Sequence, residues 1–344
     1  MSSPLRFAIV GCGVISPIHA RCIQELPGAE LVALCDIFPE KARSLAEDFP
    51  AEVYAGFDDM VKSIPIDVIC VCTPSGLHSG VGIAAARAGK HVIVEKPMDI
   101  TLERADALIQ ACRESGVKLS VISQHRFDPA IVALKQAVKE NRLGQLNFGG
   151  SHTKWYRSQE YYDSGDWRGT WHLDGGGALI NQAIHYVDLL QYIMGPVAEI
   201  HAYCATRAHT RIEVEDIAVA VIKFRSGALG LLEGSTSAYP GFCARLDIYG
   251  SDGSAIIEND QLLEWCLRSG EPNPVPVEAS GFIGGTSSKN IWHQSHLRQI
   301  ADVISAIQEN HAPLVTGEEG RKPLEIVLAV YESARTGRTI IFNS

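Results

Sequence analysis

Up to about residue 123 the chain alternates short apolar runs with amphipathic segments of helical length, and this rhythm constrains the fold more than any other feature. LRFAIVGCG reads as a strand, HARCIQEL as a helix, ELVALCD as a strand and PEKARSLAEDF as a helix. DVICVCTPS, HVIVEKP and KLSVISQ continue the strands, with HSGVGIAAARAG and LERADALIQACRESG as the helices between them. Strands alternating with helices of this length make βαβ units and a parallel sheet. Right-handed crossovers then put every strand C-terminus on one edge, and ligands of such sheets bind outside that edge.

Near residue 124 the rhythm changes. A helix from Asp128 to Asn141 leads into strands with two-residue alternation: LNFGGSHTKWYR, AEIHAYCAT, IAVAVIKF, ALGLLEGSTSAY, ARLDIYGS and GSAIIEN. Ser226-Gly227 and Ser251-Asp252-Gly253 are suitable hairpin turns. Two helices, SHLRQIADVISAIQEN and PLEIVLAVYESARTG, close the chain. The fold class is therefore α/β. A doubly wound parallel sheet (1–123) precedes an α+β domain with a large open, mostly antiparallel sheet (124–344). The last helices are expected to pack back on the first domain. An open sheet needs its second face covered, which predicts a homo-oligomer, a tetramer or a dimer.

Composition narrows the partners. The 344 residues suit two domains, and 46% hydrophobic with 20% charged residues is enough for two cores. A net charge of −10 argues against a nucleic-acid partner. No signal peptide and no apolar run long enough for a membrane span is visible. Nine cysteines, mostly in apolar runs, read as buried thiols of a cytoplasmic protein and not as a disulfide framework.

GCGVIS, residues 11–16, follows the first strand and opens the first helix. It fits the dinucleotide-binding pattern with Ser16 in place of the last glycine. Gly11 allows the tight turn, and Gly13 lets backbone approach a pyrophosphate at the helix N-terminus. Asp36 ends the second strand, where an acid bonds the adenosine ribose; a 2′-phosphate would meet like charge there. NAD is the expected cofactor. Asp36 can instead serve only to cap the helix after it. Thr73 and Pro74 follow the third strand at the same edge. His78 begins the next helix, either facing the cofactor or merely capping.

VIVEKPMD puts Glu95 and Lys96 at the end of another strand, with Pro97 setting the direction of Lys96. A lysine there can bond a substrate hydroxyl and help remove its proton as hydride leaves the carbon. GGGALINQAIHYVD, 175–188, places Asn181, His185 and Asp188 at i, i+4 and i+7, on one face of an otherwise apolar helix. A surface helix is the plain explanation. Against it, the polar stripe starts uncharged, and the glycine run lets a ligand come close to the helix start. His185 can act as a base, Asn181 can orient a hydroxyl, and Asp188 can fix a tautomer or be structural.

Taken together, GCGVIS, Asp36, CTPS, EKP and GGGALINQAIHYVD resemble the glucose–fructose oxidoreductase/inositol dehydrogenase (Gfo/Idh/MocA) family over nearly the whole chain. The resemblance implies a Rossmann domain plus an open-sheet oligomerisation domain and a cis peptide before Pro97. It also implies NAD(P)-dependent oxidation or reduction of a sugar or polyol ring hydroxyl, with Lys96 and His185 matching the catalytic pair. Many members carry Asp where this chain has Asn181, which leaves proton transfer to Lys96 and His185. The Asn form with WRGTW is similar to the UDP-N-acetylglucosaminuronate 3-dehydrogenases. By this analogy Trp167 and Arg168 lie near the cofactor, and Lys154 and Arg157 near the substrate. Gln124 and Arg126, in SQHRFDP at the domain junction, can touch either. Val14, Ile15, Glu95 and Lys96 complete the expected cofactor contacts.

The expected activity is hydride transfer to NAD from a ring hydroxyl, at C3 by preference, of a sugar, sugar nucleotide or cyclic polyol. Two alternatives stay open: an NADPH-dependent ketosugar reductase, or a non-catalytic NAD-binding sensor. No metal is expected, because the histidines form no HExxH-type spacing. His293 and His296 are an i, i+3 pair, substrate-facing or structural.

Overall fold

The structure is a computed structural model that describes residues 3–276 and 293–342. The chain divides into two compact units. The first runs to Gln124 and takes in a late segment ending at Arg321; the second starts at His125 and resumes at Lys322.

In chain order the first unit contains β1 (Leu5–Val10), α1 (Ser16–Glu25), β2 (Ala29–Cys35), α2 (Pro39–Asp48), β3 (Glu52–Tyr54), α3 (Phe57–Ser63), β4 (Val68–Val71), α4 (His78–Arg87), β5 (His91–Val94), α5 (Leu102–Glu114) and β6 (Leu119–Val121). The second contains α6 (Pro129–Lys139), β7 (Leu146–Lys154), α7 (Gln159–Asp163), α8 (Ile184–Met194), β8 (Val197–Ala205), β9 (Ile217–Phe224), β10 (Leu229–Ser235), β11 (Ala244–Gly250), β12 (Gly253–Glu258) and β13 (Gln261–Leu267). After α9 (His293–Gln308) in the first unit, α10 (Gly317–Thr336) carries the chain back, and β14 (Ile340–Ile341) ends the second.

The first sheet is parallel, in the order β3-β2-β1-β4-β5-β6. That order reverses between β1 and β4, which is where dinucleotides bind in such sheets. Its central strands are buried on both faces, so successive residues Val68 to Val71 are all inaccessible. The same double burial explains why Cys70 and Cys72 are both buried. β3 and α3 escape the sequence pattern because one is three residues long and the other seven. Helix α9 belongs to this unit: Ile300, Val303 and Ile304 share its core with Ala20 and Ile23 of α1.

The second sheet has eight strands, in the order β13-β12-β11-β7-β10-β9-β8-β14. Its pairs are antiparallel except β7 with β10. β13 and β14 are absent from the sequence reading. β13 follows the two-residue turn Asn259-Asp260, whose positive φ values of 46° and 66° fit a hairpin. One face of the sheet carries the 178–194 helix. There Gly149 faces Leu190 and Met194, and Gly234 faces Ala183 and Leu179, too closely for any side chain. The opposite face leaves Tyr203, Val219, Val221, Leu229 and Leu231 exposed. Tyr203 pairs with Val219 and Val221 with Leu231, so these apolar groups are neighbours.

All nine cysteines are unpaired. Among the described residues no helix is long and apolar enough to cross a membrane.

Candidate active site

At the C-terminal edge of the first sheet, Gly11 has φ +93°, and a Cβ on it would come within 2.6 Å of the Cys72 backbone at the end of β4. Only glycine allows this turn. A Cβ on Gly13 would instead meet nothing within 4 Å. Val14 is exposed and Ile15 half-buried, while Ser16 is buried and donates from Oγ to the Gly13 carbonyl at 2.7 Å. Asp36 accepts from the Cys12 amide at 2.8 Å and the Phe38 amide at 2.9 Å. Its carboxylate thus ties the glycine turn to the end of β2 and stays half-exposed. It is not the helix N-cap, which is Phe38. Thr73 Oγ1 is buried and has no partner among the described residues. An open cradle at Gly13, a fixed carboxylate and an orphaned hydroxyl on one sheet edge fit a dinucleotide.

The turn after β5 is anchored from several sides. The Lys96-Pro97 peptide is cis. Glu95 is buried; its carboxylate lies 2.7 Å from His19 Nε2 and 3.6 Å from His296 Nε2, and accepts from the Lys96 amide at 3.2 Å. Burial alone would raise the Glu95 carboxyl, but His19 and His296 outweigh it and hold it well below the ordinary value. Glu95 therefore serves the position of Lys96, and its carboxylate is committed to imidazoles. His78 is committed too: its ring nitrogens each lie 2.7 Å from a carbonyl oxygen, of Pro97 and of Thr73. Burial keeps its imidazole below the ordinary value, against the pull of both carbonyls, Glu95 and Asp99. The side chain of His78 thus lies between two loops, free to donate to one carbonyl at a time in its neutral form, instead of reaching outward. Lys96 is half-buried beside this framework. Gln124, where the chain leaves this unit, is buried with its Oε1 unpartnered among the described residues.

In the second unit the helix around His185 is buried almost all round, so the surface-helix explanation fails. It opens with a π-helical turn, Ala178–Ala183, before α8. Such turns recur at functional sites. The glycine run serves the protein's own packing. A Cβ on Gly176 would collide with Tyr331 and one on Gly177 with the Glu215 backbone. Glu215 accepts from the amides of Gly177 (2.9 Å) and Leu179 (2.8 Å) and from Tyr331 Oη (3.0 Å). Burial pushes its carboxyl up to about 7.

Asn181 donates from Nδ2 to Asp174 at 2.6 Å. An aspartate in its place would set two carboxylates against each other, so the buried Asp174 accounts for the amide. Gln182 joins Asn181 (3.0 Å) to Tyr161 Oη (2.9 Å) and accepts from Arg157 at 2.8 Å. Arg157 is buried, and that burial lowers its pKa; it supports Gln182. Arg168 donates to Tyr161 Oη at 2.7 Å and stacks on Trp167. Both belong to this second unit and are half-buried.

Two expectations need correction. Arg126 is buried and pairs bidentately with Asp188, at 2.8 and 2.6 Å, under the Tyr192 ring. It locks the 124–127 turn to α8, and Asp188 is spent on it and not on the His185 tautomer. Lys154 lies on the wrong sheet face: Gly149, Ser151 and Thr153 alternate toward α8, so Lys154 points to the open face, 3.5 Å from Glu233. Sequence reading also passed over His19, Asp174, Tyr161 and His125. The parity of β7 was available for Lys154. Nothing local signals the partners of His19.

Two groups, His19–Glu95–His296 and His125–Asp128–Asp260, bring ligand-type atoms within 4.8 Å of one another. Each contains a contact of 2.7 Å, a hydrogen-bond distance. Ligands on a tetrahedral ion with bonds of about 2.0 Å stand about 3.3 Å apart. Both groups are read as ion pairs.

Comparison with known proteins agrees with this geometry. Residues 5–123 match the GFO_IDH_MocA oxidoreductase family with its NAD-binding Rossmann fold, and 131–256 match the GFO/IDH/MocA C-terminal domain. The WlbA dehydrogenase from Bordetella pertussis, crystallised with NADH and UDP-GlcNAcA, is 35% identical over 99% of both chains, with a TM-score of 0.88. Myo-inositol 2-dehydrogenase of Thermotoga maritima is 27% identical over 98% of both chains. The scyllo-inositol 2-dehydrogenase (NAD(+)) of Bacillus subtilis is 26% identical over 99% of this chain and 97% of its own. The chain belongs to the Gfo/Idh/MocA oxidoreductase family. It is an NAD-dependent dehydrogenase, and its first unit is the NAD-binding domain.

Proposed function

We propose that this enzyme oxidises a sugar ring hydroxyl, at C3 of a nucleotide-linked uronic acid, with NAD as the hydride acceptor. The observation that carries this reading is Asn181 held by Asp174, four residues before His185, in a chain 35% identical to a dehydrogenase crystallised with UDP-GlcNAcA. NAD, when bound, supplies the site that takes the hydride. Gly11, Gly13, Val14, Ile15, Asp36, Thr73 and Pro74 would hold it. The chain's own work is on the proton. Lys96, fixed by the Glu95 framework, is suited to bond the hydroxyl and accept its proton in the neutral amine form; in the second unit His185 is the other group proposed to accept a proton. Asn181 orients the substrate without titrating. Arg168, stacked on Trp167, supports binding of a carboxylate or phosphate.

We also propose that the exposed face around Tyr203, Val221 and Leu231 is covered by a second copy of the chain. The nine unpaired thiols support a reducing, cytoplasmic setting.

The test is NADH formation, followed by absorbance, with UDP-GlcNAcA, free inositols and free sugars in parallel. Turnover with the UDP-linked acid and NAD is expected. Turnover confined to free inositols would overturn the substrate reading, and a clear preference for NADP would overturn the role of Asp36.

A further inference from the structure

His125 stands between Gln124 and Arg126, and its position is unlike that of either neighbour. Its ring meets the ring of His185 edge-on, with centroids 5.1 Å apart and planes at 86°. Its Nδ1 lies 2.7 Å from a carboxylate oxygen of Asp128 and 3.1 Å from one of Asp260. Asp128 precedes α6, while Asp260 arrives from the turn between β12 and β13. Tyr186 Oη donates to the same Asp260 carboxylate at 3.2 Å. Three separate pieces of chain thus converge to seat one imidazole against another.

We propose that His125 is a positioning residue for His185: seated by Asp128 and Asp260, it fixes the plane of the neighbouring ring and presents a charge to it. This rests on the reading of His185 as a proton-accepting group.

The charge follows from the surroundings. Burial alone would lower the His125 imidazole, but the carboxylates of Asp260 and Asp128 outweigh it and hold it well above the ordinary histidine value. His125 is then cationic at neutral pH. A cation beside His185 opposes a second positive charge there, which keeps His185 open to the proton leaving a hydroxyl. Among the described residues, Asp128, Asp260 and Tyr186 are titratable groups that lie against His125 or its carboxylates. The Arg126–Asp188 ion pair lies one turn further along α8. Without His125, the two carboxylates would face His185 alone and favour its charged form.

The experiment follows the titration of His185 by NMR in NAD-loaded enzyme carrying 13C-labelled histidine. The resonance is identified by its loss in His185→Gln. In His125→Gln the His185 midpoint is expected to rise by about one pH unit. His125→Lys, which keeps a cation, should restore part of the shift. Asp260→Asn, which leaves His125 paired with Asp128, should move the midpoint the other way and serves if His125→Gln does not fold. In the active enzyme, the acid limb of the kcat/KM profile should move with the midpoint. A His185 midpoint unchanged in the folded variants overturns the proposal. The titration needs no substrate, so that result is distinct from a failure to find sugar oxidation, which would count against the functional reading.

Discussion

Lys96 and His185 are supported by opposite arrangements of the same chemistry. Beside Lys96 a carboxylate, Glu95, is held by two buried imidazoles, His19 and His296. Beside His185 an imidazole, His125, is held by two carboxylates, Asp128 and Asp260. In the first unit the charge pair is sealed from water and fixes backbone: Glu95 accepts the amide of Lys96, and His78 grips the carbonyl of Pro97. In the second, the pair is less enclosed, with Asp260 about one-third exposed, and it meets the His185 ring directly. The difference teaches what each group needs. A flexible lysine needs its backbone aimed, since its amine can swing. A histidine needs its ring plane and proton set.

The contrast is tested hardest by removing each of the two groups proposed to accept a proton. Lys96→Met and His185→Asn are expected to lower kcat by a factor of about 10²–10⁴, the usual range for a lost acid–base group. In His185→Asn, NAD binding, read by tryptophan fluorescence, should hardly change. Wild-type turnover in either variant would break the assignment.

Next in size is Glu95→Gln. Removing one partner of a buried charge pair costs about 3–5 kcal/mol, so a marked fall in Tm is expected. The sign with pH is fixed. Glu95 has a folded-state pKa below its unfolded value, so its stabilisation is present above the ordinary carboxylate range and is lost as pH falls below it. The Tm gap between wild type and variant should therefore narrow on acidification from about pH 5. A gap that widens would mean the carboxyl is neutral in the fold.

How far these features were legible depends on how local their causes are. Parallel strands are readable because each buries a continuous apolar run, and GCGVIS because its glycines answer one turn. Lys96 and His185 sit in short motifs of this kind. The imidazoles of His19 and His296 lie on helices far from Glu95 in the chain, and nothing near them in sequence marks the pair. Arg126 misled because a buried arginine and a substrate-facing one look alike until the partner, Asp188, is located. Lys154 misled for a simpler reason: the two-residue period of β7 already assigns it to the open face. The glycine run at 175–177 points from sequence to the close approach of a ligand, but what approaches Gly176 and Gly177 is Tyr331 and Glu215 of the same unit.

The glycines give the finest comparison between the two regions. Gly177 is closed in by the Glu215 carbonyl, whereas the space around Gly13 is empty. Gly177→Ala must push apart the helix start and the strand-leading segment at 215, with an expected loss of about 1–3 kcal/mol. Gly13→Ala has no positive φ to strain and no neighbour to strike, so its stability should stay within about 0.5 kcal/mol of wild type. Its effect should appear only when a pyrophosphate has to come against the backbone, as a roughly tenfold weaker NAD affinity, equivalent to about 1.4 kcal/mol. Denaturant melts of both variants with and without NAD separate the cases. If Gly13→Ala destabilised the free protein as much as Gly177→Ala, its space would be structural, and the phosphate cradle would have to lie elsewhere on the sheet edge.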